Sequence, residues 1–391
     1  MTPDDTGKPK PLGLTSAEIR RYSRQAVIPG IGLKGQVKLK RAAVLVAGAG
    51  GLGSPAAIYL AAAGVGRIGL VDDDVVDITN LHRQILYATG DVGRKKVLAA
   101  AARLEAVNPR LAVKIHDTRL TAENALGLVA GYDIVIDGTD NFPARYLIND
   151  ACVLGKKPMV YGAVHHFDGQ VSVFDAARGP CYRCVLPEPP AGGAPDCARA
   201  GVLGVMPGII GTIQAAEAIK LILGVGRPLV GRMLFYDARG AFFDEMAIAK
   251  NPRCPVCGRR PTITAPIDYG PPCQGPATAR AGRAAGRPPC RTIGVREFER
   301  MRREDRKLLV LDIREPGEDS GRAIPGALRI PRSAIEAGVG RIPRDRDIVV
   351  VCRIGIVSLD VIRFLQDKGY KRFFNLEGGY LAWAYGIGLD E

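Results

Sequence analysis

Three sets of residues in this 391-residue chain are spaced for chemistry. Gly48, Gly50, Gly51 and Gly53 form a tight glycine run that lets backbone N–H groups approach a phosphate closely. Cys181 with Cys184, and Cys254 with Cys257, are two CxxC pairs, enough to give a tetrahedral zinc four thiolates and leave no open position. Disulfides or unrelated buried thiols are the alternatives there. Cys352 ends an apolar run and opens the short loop Cys352 to Ser358, where backbone N–H groups and the start of a helix would stabilise a persulfide anion. A buried strand-end thiol is the plain alternative.

The elements that must position these groups follow from the pattern around them. Ala43 to Ala47 reads as a buried strand, the glycines as a turn and the Ala-rich run from Ser54 as a helix; Ile68 to Val71 is a second strand. Asp72, Asp73 and Asp74 close that strand where a carboxylate meets a ribose hydroxyl in a βαβ unit. The cradle therefore suits a mononucleotide or a dinucleotide. Further strands at 113–116 and 134–136, with a helical stretch at 122–130, predict a mainly parallel Rossmann-like sheet. From Pro158 onward, apolar runs at 159–163 and 170–174 without a long helix between them predict an antiparallel extension, and Met206 to Leu223 has helical periodicity.

Residues downstream separate hydride transfer from nucleotidyl transfer. DITNLHRQ supplies Asn80, Arg83 and Gln84, DVGRKKV supplies Lys95 and Lys96, and DGTDNF places Asp137 and Asp140 near a strand end. Arg83 and Lys96 would offset charge developing at an α-phosphate, and Asp140 would hold magnesium on the phosphates. No GxxxxGK[ST] loop is present.

GxGGLGS, VDDDVVDITNLHRQ, VGRKK and DGTDNF together resemble the ThiF and MoeB family of ubiquitin-activating-type adenylyltransferases, from about Tyr22 to Gly258. The resemblance implies ATP-dependent activation of the C-terminal Gly-Gly carboxylate of a ubiquitin-like sulfur-carrier protein. It assigns Gly51 to the nucleotide turn, Asp72 to the ribose, Asn80, Arg83, Gln84 and Lys96 to the phosphates and Asp140 to magnesium. In the RYSRQ element it implies that Arg24 reaches across a homodimer to the partner's ATP. It also gives Cys197, in the Pro- and Gly-rich loop LPEPPAGGAPDCARAG, a part in sulfur or acyl transfer; a plain surface thiol is the alternative.

The segment from Thr292 to Glu391, with LDIREPGEDSGRAIPGALRIP, VVCRIGIVS and NLEGGYLAW, resembles a rhodanese domain. Cys352, Arg353, Gly355 and Ser358 match its persulfide loop. Val357 stands where a second cation is frequent, and Ala323 where a His is frequent. The expected organisation is an N-terminal tail (1–21), an adenylation domain with its zinc site (22–258), a flexible linker (259–291) and a small α/β rhodanese domain (292–391).

Composition sets bounds on all of this. Hydrophobic residues at 47% and charged residues at 24% suit a soluble globular chain, and Met1 to Leu12 lacks an apolar leader, so the expected compartment is the cytoplasm with no membrane partner. The net charge of +14 is spread without an aromatic-interleaved basic run, so direct nucleic-acid binding is not expected. The expected activity is adenylyltransfer followed by sulfur transfer, with molybdenum-cofactor synthesis favoured over thiamine, cysteine or tRNA-thiolation carriers. A cysteine desulfurase or thiosulfate is the expected donor. The rivals are a nucleotide-dependent oxidoreductase and an adenylating enzyme whose rhodanese domain only docks a partner.

Overall fold

The computed structural model describes residues 13–188, 201–269, 290–304, 307–316, 323–353, 355 and 357–384. The chain divides into two compact units, 1–277 and 278–391.

In the first unit, β1 (Ala43–Ala47), β2 (Arg67–Val71), β3 (Ala112–His116), β4 (Ile134–Asp137) and β5 (Met159–His165) pair in parallel, and β6 (Asp168–Phe174), β7 (Arg232–Asp237) and β8 (Phe242–Ala247) extend the sheet antiparallel. The order is β3-β2-β1-β4-β5-β6-β7-β8. Because β1 is flanked by β2 on one side and β4 on the other, the strand order reverses there, and a crevice opens beyond the carboxyl ends of these strands. The mainly parallel sheet with an antiparallel extension is as expected from the sequence.

Every residue of β1 is buried, as parallel strands covered on both faces require. The helix Gly53–Ala63 ends at Gly64 in the left-handed conformation, and the helix Val205–Leu223 packs across it and against β5 and β6. Small residues (Ala56, Ala57, Ala215 and Ala218, all fully or almost fully buried) line this core and let the elements come close. Val205–Leu223 is long and apolar enough by composition to cross a membrane, but nearly half of it is buried in this core.

Two segments expected to be tail and linker contain structure. Ser16–Arg21 is a helix, since Thr15 and Glu18 form a reciprocal capping box. Residues 259–269 continue the fold beside Cys254 and Cys257: Asp268 accepts a hydrogen bond from Ala122 N–H at 2.8 Å, and Ile263 packs on the cysteine cluster.

The second unit is a five-stranded parallel sheet of β9 (Arg291–Ile293), β10 (Leu309–Asp312), β11 (Leu328–Arg329), β12 (Ile348–Val351) and β13 (Phe373–Leu376), ordered β11-β10-β12-β13-β9. β12 is central and fully buried, so the residue after it emerges at the middle of the sheet's carboxyl edge.

Candidate functional site

At the switch point of the first sheet, Gly48 leaves β1 with φ +91° and a side chain there would collide with Gly138 after β4, its Cβ 2.8 Å from the Gly138 carbonyl oxygen. Only glycine permits both the conformation and the close approach. The loop bearing Asp140 is thereby laid against the glycine turn.

Asp72, at the end of β2, accepts Ala49 N–H and Asp74 N–H, each at 2.9 Å, one on each carboxylate oxygen. A carboxylate has about four acceptor positions, so capacity for a ribose hydroxyl remains. Burial pushes the Asp72 carboxyl above its ordinary range, opposed by Lys96 and by the two backbone donors. Lys96, 5% exposed at the start of the helix Lys96–Val107, places its Nζ 2.9 Å from Asp74 Oδ2. Lys95 points elsewhere, to Asp117 at 3.1 Å and the Asp73 carbonyl at 2.8 Å.

The stretch after the acidic loop covers the turn. Tyr87 OH donates to the Ala49 carbonyl at 2.7 Å. Arg83 contacts His82 Nε2 at 2.7 Å and donates to the Thr79 carbonyl at 3.2 Å, and its Cδ comes within 3.7 Å of a Cβ position on Gly51. Asn80 closes the short helix Ile78–Asn80, its carbonyl accepting Arg83 and Gln84 N–H. Gln84 is buried beside Gly50, and its Oε1 has no hydrogen-bond partner among the described residues. A buried amide oxygen left alone costs about 1–3 kcal/mol, which a ligand N–H or O–H donor would recover.

Asp137 and Asp140 have different surroundings. Asp137 is fully buried in β4, where it pairs with Arg145 at 3.0 Å and accepts from Thr139 N–H and Oγ. It is a clamp for the loop and is not open to a ligand. Asp140 is exposed at the loop's mouth, while Asn141 caps the helix Phe142–Leu154 by accepting from Ala144 N–H at 3.0 Å. Arg24 stands exposed in the helix Ser23–Ala26. Cys197 lies outside the described residues.

The two CxxC pairs converge. Sγ–Sγ distances are 3.9 Å for Cys181–Cys184, 3.5 Å for Cys181–Cys254 and 3.4 Å for Cys184–Cys257, with all four atoms within 4.8 Å of one another. Zinc–sulfur bonds of about 2.3 Å in a tetrahedron give edges of about 3.8 Å, so the cluster fits zinc. Between the first pair, Arg183 makes a bidentate contact with Asp150 at 2.7 and 2.8 Å, donates to the Pro187 carbonyl and touches Tyr269 OH. This anchor fixes the knuckle to the helix that carries Asn141. No spacing rule announces it, because its partners come from distant segments.

In the second unit Cys352 follows β12 and is 1% exposed. Gly355 N–H donates to its Sγ at 3.1 Å, and Ser358 Oγ lies 3.3 Å from the sulfur at the start of the helix Ser358–Asp367. Gly355 has φ +78°, and a Cβ there would meet the Leu376 carbonyl. Arg353 is buried, with its carbonyl accepting Leu381 N–H. Asn375 of β13 joins the loop, donating to the Gly355 carbonyl at 2.9 Å and accepting from Ser358 Oγ at 2.6 Å. The sequence contains it in NLEGG, but only the fold brings it to the sulfur.

Comparison with known proteins assigns a family to each of the two units. Residues 22–256 match the ThiF family, and residues 295–385 match the rhodanese-like domain. The sulfur carrier protein adenylyltransferase of Thermus thermophilus is 54% identical over 261 residues, covering 65% of this chain and 96% of its own. The probable adenylyltransferase/sulfurtransferase MoeZ of Mycobacterium tuberculosis is 44% identical over 378 residues, covering 95% of this chain and 94% of its own. The adenylyltransferase and sulfurtransferase MOCS3 of Anopheles gambiae is 41% identical over 386 residues, covering 95% and 88%. Among solved structures, MccB of E. coli shares the fold, with a TM-score of 0.56 at 23% identity over 64% of this chain and 77% of that one. The chain belongs to the ThiF family and carries a C-terminal rhodanese-like domain.

Proposed function

We propose that this chain adenylates the C-terminal Gly-Gly carboxylate of a ubiquitin-like sulfur-carrier protein and then converts it to a thiocarboxylate. The observation that carries the reading is Lys96, a buried cation pinned to Asp74 beside a glycine turn, in a chain that also holds the Cys352 loop.

In the first step a carrier carboxylate oxygen attacks the α-phosphorus of ATP and pyrophosphate leaves. The amides of the Gly48–Gly53 turn, Arg83 and Lys96 stabilise the added charge, Asn80 and Gln84 orient the phosphates, and Asp72 and Asp74 hold the ribose side of the site. Asp140 would hold magnesium, which when bound neutralises phosphate oxygens. In the second step the terminal sulfur of a Cys352 persulfide attacks the acyl carbon and AMP leaves, giving an acyl disulfide. A second thiol, for which we propose Cys197, then attacks Cys352 Sγ, so that the acyl sulfur departs as the thiocarboxylate. A cellular thiol reduces the resulting disulfide.

We further propose a homodimer in which Arg24 reaches the partner's ATP. Val27 (76% exposed) and Ile28 (48% exposed) lie beside Arg24 and support this, since an interface would cover them. The carrier is proposed to be that of molybdopterin synthesis, the sulfur source a cysteine desulfurase or thiosulfate, and the four cysteines a structural zinc site.

The test is mass spectrometry of candidate carriers after incubation with ATP, magnesium and a sulfur source. Exchange of oxygen for sulfur at the terminus adds about 16 Da in the native enzyme, while Cys352→Ala leaves the carrier as acyl-adenylate or free acid. An undiminished thiocarboxylate yield from Cys352→Ala overturns the sulfur role. Molybdopterin, thiamine, cysteine and tRNA-thiolation carriers are compared side by side.

A further inference from the structure

The contacts around Cys352 fix where a single proton sits. Ser358, fully buried, lies 3.3 Å from Cys352 Sγ and 2.6 Å from Asn375 Oδ1. Asn375, 3% exposed on β13, also lies 2.9 Å from the Gly355 carbonyl. A carbonyl oxygen only accepts, so the amide nitrogen of Asn375 must face Gly355 and the amide oxygen must face Ser358. Ser358 has one hydroxyl proton, and that proton is therefore committed to Asn375. Toward the sulfur, Ser358 presents a lone pair.

We propose that Asn375 is a positioning residue for the sulfur site: it takes the Ser358 proton, so that the Ser358 oxygen receives S–H from the resting Cys352 thiol and becomes a donor to the sulfur only when that thiol proton has passed to solvent water as hydronium or to a buffer base. The inference rests on the sulfur-carrying role of Cys352 for its significance, and on the hydrogen-bond geometry for its content. In the resting thiol the chain Cys352 S–H to Ser358 Oγ–H to Asn375 Oδ1 is complete. Once the sulfur is anionic that chain no longer fits, because an oxygen lone pair faces the negative charge; the Ser358 hydroxyl turns, its proton moves from Asn375 to the sulfur, and the Gly355 N–H donates beside it. The Asn375 amide nitrogen keeps the Gly355 peptide in place in both states. The resting thiol thus has Gly355 N–H as its one donor, and the thiolate that attacks a sulfur donor gains the Ser358 hydroxyl as a second.

A double-mutant cycle in the full chain tests this, reading the rate of Cys352 alkylation by iodoacetamide at neutral pH through peptide mass spectrometry. Asn375→Leu releases the Ser358 proton to the sulfur and speeds alkylation about fivefold, the ratio that one net hydrogen bond commands. In the Ser358→Ala background the same substitution speeds nothing, because no hydroxyl remains to turn. Asn375→Asp still accepts the Ser358 proton and produces no acceleration. Should Asn375→Leu fail to fold, Asn375→Ser, which is too short to reach both partners, replaces it in the cycle. Equal acceleration in both backgrounds, or acceleration by Asn375→Asp, overturns the proposal. Alkylation needs neither carrier nor ATP, so failure here is distinct from failure of the thiocarboxylate assay.

Discussion

Lys96 and Asp74 meet at 2.9 Å across a steep difference in exposure: the lysine side chain is 6% exposed and the aspartate 72%. The helix Lys96–Val107 buries the lysine, and its ammonium donates to Asp74 Oδ2. In the proposed mechanism this ammonium offsets phosphate charge, and its removal is costly. Lys96→Ala is expected to lower carrier-dependent ATP–pyrophosphate exchange by about 10²- to 10³-fold, whereas Asp74→Asn, which leaves the cation present, lowers it by about tenfold. Exchange assays on the two variants check the order; equal losses count against a charge role for Lys96.

Asp140 and Asn141 are neighbours with separable tasks. Asn141 caps a helix and Asp140 faces outward from the same loop. Asn141→Ala should cost about 1 kcal/mol of stability. Asp140→Asn should leave the melting temperature unchanged while reducing pyrophosphate exchange by about 10²-fold and raising the magnesium concentration it needs. Thermal melts and a magnesium titration separate the two.

Zinc removal should act on the fold before it acts on the chemistry. Arg183, within the first CxxC, is bound to Asp150 of the helix Phe142–Leu154, so loosening the knuckle loosens that helix. Cys254→Ser is expected to lose the metal and several kcal/mol of stability, roughly the scale on which structural zinc is coupled to folding. Metal analysis with calorimetry measures both, and full stability without metal would contradict a structural site.

Asp168 gives a pH dependence with a definite sign. Burial pushes its carboxyl up to about 6 from 3.8, and Asp237, directly opposite on β7, adds to the rise while Arg239 and His166 oppose it. Between these values the folded chain keeps a proton that the unfolded chain has lost. The stabilising contribution is complete below about pH 4 and disappears as pH rises through about 6. Asp168→Asn should therefore melt higher than the native protein at about pH 7.5 and show no advantage at about pH 4; a gain of equal size at both would contradict the assignment.

Local signals were readable from the chain, and contacts between distant segments were not. The continuous apolar runs of β1 and β2 and the turn at Gly48 to Gly53 announced the nucleotide crevice, because strand, glycine and acid are contiguous there. The CxxC pairs announced a convergence of four cysteines by spacing alone. Arg145 on Asp137, Arg183 on Asp150 and Asn375 on Ser358 each required the tertiary fold, as did the separation of a buried Asp137 from an exposed Asp140. The capping of Ser16–Arg21 by Thr15 is written in the sequence as a T-x-x-E pattern, but the six-residue helix that follows lacks the long apolar periodicity that marks a helix.

The most direct test of the central claim is exchange of radiolabelled pyrophosphate into ATP by the purified full-length chain, with and without a ubiquitin-like polypeptide ending in Gly-Gly. The account predicts exchange that depends on the polypeptide, is lost when its last glycine is removed and persists in Cys352→Ala. Absence of exchange with every such polypeptide would contradict it.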